Sequence, residues 1–414
     1  FIFFMIEKND LINILKNWNI WENEIDVGIK RGKYINEIYP YIKRKEILVL
    51  KGIRRCGKST IMKQLIYELV KKGVHKKQIL YLNLEDYNFK DSLNLKLFEE
   101  VLEVYLKYSK NKKITYFFID EIQNIEGWER FVRTIYDQGK KIKFILSGSN
   151  ASLLSKELST LLTGRNITFQ IKILTLKEYF SFKKNGSIEE YMTYGGFPEV
   201  VLESEKLTKK IILQQYFEDI INKDIISRNK IRNIELVFNL SRNIIANSGT
   251  KTSLNKLAKT YGVSDTTIST YISYMQDSFL ISKVPFFSYS LKKRHNVLMK
   301  PKYYATDNGF VYVSNLNFSK NIGKMYEMAV FLKLYDSIKN ISYWAEKGEV
   351  DFVLENQGIN VTSTNNIDKR EYEGLLEFKK KFKSNIGKMI LITKSISKIE
   401  NGIEYVPLKN WLLE

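Results

Sequence analysis

An α/β fold around a mostly parallel sheet is what the sequence predicts for its first half. Apolar runs at 47–50, 79–84, 115–119, 142–146 and 168–173 alternate with stretches of helical periodicity. These runs are apolar at successive positions, which suits strands covered by helices on both faces. The first run leads into residues 52–59, GIRRCGKS, which fit the pattern G-x-x-x-x-G-K-S/T of a phosphate-cradling loop. The third run ends in YFFIDE, so a buried strand would deliver two carboxylates, Asp120 and Glu121, at its tip.

Each element has its own justification. After the glycine loop, Ile61, Met62, Leu65, Ile66, Leu69 and Val70 recur at helical spacing, and Gly73 offers a stop. Strand, loop and helix thus come in the order that phosphate binding needs. Gly52 and Gly57 let backbone N–H groups face phosphate oxygens, and the helix adds its positive end. The expected nucleotide contacts are Gly52, Ile53, Arg54, Arg55, Cys56, Gly57, Lys58, Ser59 and Thr60. Lys58 would reach the β- and γ-phosphates, and the Ser59 hydroxyl would ligate Mg²⁺. Asp120 would hold the Mg²⁺ shell, and Glu121 would orient or deprotonate the attacking water.

The fourth run, KFILSGSNAS, brings Ser147, Ser149 and Asn150 to a tip between the two motifs. Ser149 is the expected partner of the γ-phosphate or the water, the alternative being a plain turn residue. In LLTGR, Arg165 is either a cation for the transferring phosphoryl group, from this subunit or a neighbour, or a surface cap.

Bulk properties narrow the classes. A chain of 414 residues is expected to form two to four domains. Its net charge of +20 makes a polyanionic partner plausible, although lysine-rich composition also arises from codon bias. The one cysteine, Cys56, lies in the phosphate loop, which excludes an internal disulfide or cysteine-based zinc site and suits a reducing cytoplasm. His75 and His295 are too far apart in sequence to suggest metal or acid–base chemistry. The opening FIFFMI is too short to span a membrane and lacks a signal-peptide layout, and Met5 would serve as a start. A soluble, cytoplasmic protein is the expectation.

Together, GIRRCGKST, YFFIDEIQNIEGWE, ILSGSNASLLSKELSTLLTGR and YGGFPEV resemble the prokaryotic AAA-type ATPases that carry a conserved C-terminal domain of unknown function. The resemblance runs from about residue 45 onward. It implies a core of five strands followed by a small helical lid. It also implies that Gly196-Phe197-Pro198 matches a lid motif contacting the nucleotide base; alternatively Pro198 simply opens a helix. Residues 214–228 read as a helical bridge to the later domains.

From 233 to 290 the pattern changes. A helix over 234–246, a second over 252–258, a turn at Gly262 and a third helix capped by Ser264 precede an extended stretch at 279–287. Ile268, Ile272 and Met275 form an apolar stripe opposite Thr266, Thr267, Ser269, Thr270 and Ser273. This resembles a winged helix-turn-helix whose polar face enters a DNA groove, with Lys251, Lys256 and Lys259 as phosphate neighbours. The competing reading is a module for subunit or domain contacts, because the face offers hydroxyls and few arginines or amides, the usual base readers. The basic run 292–295 reads as a loop or wing, and 301–309 matches the family's K-x-Y-x-x-D-x-G stretch.

The last hundred residues read as helix (322–335), strands (341–345, 349–354, 358–363), helix (368–383) and strand (389–393). That order resembles the core of PD-(D/E)xK nucleases. Glu327 and Asp351 fit their metal-binding carboxylates, but the third element, Asn360-Val361-Thr362, lacks both carboxylate and lysine. An inactive nuclease fold used for binding or assembly is therefore expected. The predicted architecture is an α/β protein: an N-terminal arm (1–44), an AAA-type P-loop core with a parallel five-stranded sheet (45–175) and a helical lid (176–230). A winged helix-turn-helix (231–290) and a degenerate restriction-endonuclease-like α/β domain (291–414) follow. The predicted activity is Mg²⁺-dependent ATP hydrolysis acting on DNA or a protein partner, in a homo-oligomer, with a slow nucleotide-gated switch as the alternative.

Overall fold

A computed structural model of the chain describes residues 6–150, 162–288, 300–314, 322–338, 340–382 and 387–414. The first five residues, the SLL and following segment up to 161, and the basic run 292–295 lie outside the described residues. The chain divides into two units, Phe1–Lys172 and Ile173–Glu414.

In the first unit the five apolar runs form strands β1 (Ile47–Lys51), β2 (Ile79–Asn83), β3 (Thr115–Asp120), β4 (Ile142–Gly148) and β5 (Asn166–Gln170). All pair in parallel in the order β2-β3-β4-β1-β5. Helices α3 (Lys58–Lys71), α4 (Leu95–Ser109) and α5 (Trp128–Asp137) accompany the sheet. Its core includes Leu80, Leu82, Phe117, Ile119, Phe144 and Leu146, all buried. This order puts β4 between β3 and β1, so the three strand tips adjoin.

The N-terminal segment closes an open edge. Helix α1 (Lys8–Trp18) buries Leu11 and Leu15 in the core, and α2 (Gly32–Ile38) follows. Beyond α1, the Asn19 amide donates to the Tyr81 carbonyl at 2.9 Å and accepts from the Tyr81 N–H at 2.7 Å. Trp21 Nε1 donates to the Ile79 carbonyl at 2.7 Å. Edge strand β2 thereby has its unpaired backbone groups satisfied by side chains.

The second unit begins with short helices α6 (Leu176–Phe182), α7 (Ile188–Tyr194), α8 (Pro198–Leu202) and α9 (Lys206–Asp219). A π-helical segment, Ile220–Ser227, prolongs α9. Next come α10 (Ile234–Ala246), α11 (Leu254–Tyr261), α12 (Asp265–Asp277) and the antiparallel pair β6 (Ile281–Val284) and β7 (Lys302–Ala305). Ser253 and Ser264 cap α11 and α12, and Gly262 ends α11 in the left-handed conformation. Ile268, Ile272 and Met275 are buried, while Thr266, Ser269 and Ser273 are exposed.

After α13 (Asn308–Ser314) and α14 (Ile322–Ser337) comes a six-stranded sheet. Its strands are β8 (Ser342–Ala345), β9 (Glu349–Val353), β10 (Gln357–Val361), β11 (Lys388–Thr393), β12 (Lys398–Glu400) and β13 (Ile403–Pro407). They lie in the order β12-β13-β11-β10-β9-β8, with β8–β10 antiparallel, β10 parallel to β11, and α15 (Lys369–Lys381) making the crossover. Helix α16 (Leu408–Leu413) ends the chain. Where the sequence suggests three domains after 175, the structure gathers 173–414 into one unit. The physical tie is β7 and the turn after it, whose side chains bind α14, β9 and the loop before α8. Among the described residues, no helix is long and apolar enough to cross a membrane.

A candidate nucleotide site at the tips of β1, β3 and β4

The glycine loop leaves β1 at Gly52 and enters α3 at Lys58. A Cβ on Gly52 would stand 2.0 Å from the Ile171 carbonyl oxygen, so only glycine lets the loop pass the end of β5. Gly57 and Arg55 take positive φ values of 97° and 69°, the reversals that turn the loop toward the helix. Cys56 is fully buried with Sγ at 3.4 Å from the Ile171 carbonyl, and burial pushes its thiol pKa up, so it is a packing residue of the loop.

Support also comes from Arg31, which belongs to no motif in the sequence. Its buried guanidinium donates at 2.9 Å to the Cys56 and to the Lys172 carbonyls, fastening the underside of the loop. Gln64 of α3 ties in the same arm, accepting from the Arg31 N–H at 3.1 Å and donating to the Val27 and Ile29 carbonyls. Partners this distant in sequence leave no local signature.

The structure brings Lys58, Ser59, Asp120 and Glu121 together. Lys58 Nζ lies 3.2 Å and 3.3 Å from the carbonyls of Gly52 and Ile53, and 3.3 Å from Glu121 Oε1. Burial is the largest single influence and works against its charge, but the acidic neighbours together, Glu121 foremost with Cys56 and Asp120, outweigh it and keep the Lys58 pKa above its ordinary value. Burial likewise pushes Glu121 up, and the Lys58 and Arg54 charges overcome it to hold the carboxyl well below the usual range. Asp120 behaves oppositely: burial, then the Glu121 charge, raise it. It accepts hydrogen bonds from Tyr81 OH at 2.7 Å, from the Ser147 hydroxyl, and from Ser59. Two adjacent carboxylates are thus pushed in opposite directions by their surroundings.

At the β4 tip, Ser147 Oγ accepts from the Glu121 N–H at 3.1 Å, helping hold Glu121 in its left-handed conformation, φ 55°. Ser149 is fully buried and is linked to Glu121 through Gln123. The Gln123 amide nitrogen donates both to Glu121 Oε2 and, at 3.2 Å, to Ser149 Oγ. Its amide oxygen is buried without a partner. Gln123 was visible in the sequence only as part of the DEIQ string.

Arg54 pairs with Glu85 at 2.5 Å. Arg165 is not brought to this cluster. It precedes β5, whose Asn166 is in register with Ile47 at the start of β1, so it stands at the opposite end of the sheet from the loop. There it bonds to Asp137 at 2.9 Å.

In the second unit, Pro198 occupies the first turn of α8, and buried Phe197 packs on Tyr216 and Phe310. The preceding loop is held by Asp307, whose carboxylate accepts from the N–H groups of Gly196 at 2.7 Å and Gly309 at 2.6 Å. A Cβ on Gly195 would lie 1.9 Å from that carboxylate. Glu327 of α14 and Asp351 of β9, singled out in the sequence, converge with Glu349 on Lys302 of β7. Lys251, expected near DNA phosphates, pairs with Glu349 at 3.0 Å.

The donor set suits a nucleotide with Mg²⁺. Magnesium is commonly held by one or two protein oxygens plus phosphates, and Ser59 beside Asp120 offers such a pair.

Comparison with known proteins agrees with the first unit. Residues 44–180 match a family described as an AAA domain, and residues 185–320 match a domain of unknown function. The chain is 33% identical over 354 residues to the uncharacterized protein MJ1544 of Methanocaldococcus jannaschii, covering 78% of this chain and 76% of that protein. It is 28% identical over 409 residues to an uncharacterized protein of Haemophilus influenzae, covering 93% and 99%. Among solved structures, the RuvB Holliday junction branch migration motor of Thermotoga maritima aligns at 16% identity and TM-score 0.34, covering 62% of this chain and 90% of that one.

Proposed function

This chain belongs to the same family as MJ1544 and carries an AAA-type P-loop domain, and from that premise we propose that it is a Mg²⁺-dependent ATPase whose nucleotide state rearranges its later helices and C-terminal sheet. The observation carrying the reading is the meeting of Lys58 with Glu121 and of Ser59 with Asp120 at adjoining strand tips. Bound through Ser59 and Asp120, Mg²⁺ would neutralise charge on the phosphates. Lys58 exchanges the loop carbonyls and Glu121 for the β- and γ-phosphates. That exchange releases Glu121, an ionised and buried carboxylate, to accept a proton from the attacking water. Gln123, bonded to Glu121 and Ser149 with its oxygen unpartnered, orients that water.

Arg165, at the far end of the sheet, acts in trans on the γ-phosphate of a neighbouring copy. The contact to the nucleotide base is assigned to Pro198 on the Gly196-Phe197-Pro198 motif alone. The elements from α10 to β7 are read as a winged helix, and α14 to β11 as an inactive nuclease-like fold, together engaging DNA or a protein partner. The Lys58–Glu121 pair favours one second reading, a slow nucleotide-gated switch, because it neutralises the water-activating carboxylate until nucleotide arrives. ATP turnover that rises strongly with DNA favours a motor; a slow, unresponsive rate favours the switch. Lys58→Ala tests the site itself: ATP binding measured by calorimetry should weaken by about 10- to 100-fold, and turnover should vanish. Turnover at the parent rate would refute the assignment.

A further inference from the structure

Lys302 reaches from β7 into carboxylates drawn from two other elements. Its Nζ lies 2.9 Å from Glu349 Oε1, 3.4 Å from Glu327 Oε1 and 3.5 Å from Asp351 Oδ1, and its side chain is 4% exposed. The surrounding donors are already committed. Tyr304 OH donates to Glu327 at 2.6 Å, Lys251 to the other Glu349 oxygen at 3.0 Å, and the Val361 N–H to the other Asp351 oxygen at 3.0 Å. Asn360, which stands where the resembling nucleases carry a carboxylate, is turned to the backbone. Its oxygen accepts from the Asp351 N–H at 2.9 Å, and its nitrogen donates to the Glu349 and Glu371 carbonyls at 3.0 Å and 2.8 Å.

A divalent ion needs oxygen ligands converging on one point at about 2.0–2.6 Å. Here that point holds a nitrogen cation. Among the described residues, no group of three or more acidic, histidine or cysteine side chains is placed to hold a metal. The cluster is nonetheless reachable, because a cavity of about 430 Å³ opens on Glu349, Asp351, Asn360 and Glu371. Inaccessibility therefore does not keep a metal out.

We propose that the Lys302 ammonium is a built-in cation that takes the place of the divalent ion in this cluster, making the C-terminal sheet a metal-free binding or assembly module. Three carboxylates crowded at a partly buried site need positive charge. An ammonium tethered to β7 supplies it without being drawn from solution, and its loss leaves uncompensated buried charge. All three carboxylates lie within 3.5 Å of the ammonium, so direct ion pairs match their charge. The inference starts from the nuclease-like reading of this sheet and is independent of the nucleotide site.

The test uses the full chain, free of nucleotide, with D120N in every sample so that the phosphate loop contributes no metal site. Mn²⁺ binding is followed by electron paramagnetic resonance. The D120N parent should bind no Mn²⁺ in an Asp351-dependent way, whereas adding K302M should tighten Mn²⁺ binding by roughly 100-fold or more, and D351N should abolish the gain. Mn²⁺ held by the parent and lost on D351N would overturn the proposal, as would a folded K302M chain that gains no site. Should K302M fail to fold, the parent's melting curve decides. Indifference to Mn²⁺ and to EDTA supports the closure; a Mn²⁺-induced rise in Tm that D351N removes refutes it. Either refuting result leaves the nuclease-like topology standing, so the two failures are distinguishable.

Discussion

Asp307 offers a quantitative test of how the glycine loop before α8 is held. The carboxyl is fully buried, and burial raises its pKa from 3.8 to about 7; the Gly196 and Gly309 N–H groups pull the other way without prevailing. Below both values the group is neutral in the folded and unfolded chain and changes nothing. Between them, the folded chain keeps a proton that the unfolded chain has released, so stability falls as pH rises. Above about 7 the full cost of burying the charge is present. From pH 5 to pH 8, with roughly 1.4 kcal/mol per pH unit inside that window, this one group removes about 2.5 kcal/mol. Asp307→Asn does not titrate and should lack that component. It also gives up one acceptor, a loss of about 1–3 kcal/mol that is independent of pH. Urea unfolding read by hydrogen exchange in peptides spanning α7 and α8, at pH 5 and pH 8, measures both. The parent should lose about 2.5 kcal/mol more than Asp307→Asn across the interval. Parallel pH profiles would show that Asp307 is not buried against these two amides.

Two further predictions concern the nucleotide site. Gln123→Ala should lower kcat about 10-fold while leaving the KM for ATP unchanged, since Gln123 touches Glu121 and Ser149 and not the phosphate loop; steady-state kinetics decide it, and an unchanged kcat removes Gln123 from the water's surroundings. Arg165→Ala should reduce turnover by on the order of 10³ without weakening ATP binding, and the parent's rate per chain should rise with protein concentration. A parent rate that is independent of concentration would assign Arg165 only its exposed pair with Asp137.

What was legible in the sequence was whatever is written locally. The loop from Gly52 to Lys58 and the carboxylates after β3 each sit in one contiguous string, and the apolar runs coincide with β1 to β4 within a residue or two. The helix caps at Ser253 and Ser264 are local in the same way. What escaped depends on long-range pairing. Arg31 beneath the loop, Asn19 on the β2 edge and Lys302 among its carboxylates act on partners from 25 to 141 residues away. Arg165 was recognisable as a cation near a glycine, but its end of the sheet emerged only with the register of Ile47 on Asn166. The third nuclease-like strand, β10, has no lysine in its sequence QGINV. The lysine beside the carboxylates comes from β7, which no motif spacing could reveal.

The most direct measurement of the central claim is ATP binding and single-turnover hydrolysis by Glu121→Gln. The substitution removes the carboxylate charge that Lys58 now faces at 3.3 Å and leaves Ser59 and Asp120 in place. ATP should bind at least as tightly as to the parent, while hydrolysis slows by about 10²- to 10⁴-fold. Hydrolysis at the parent rate, or loss of ATP binding, would contradict the assignment of Glu121 as the group that activates water.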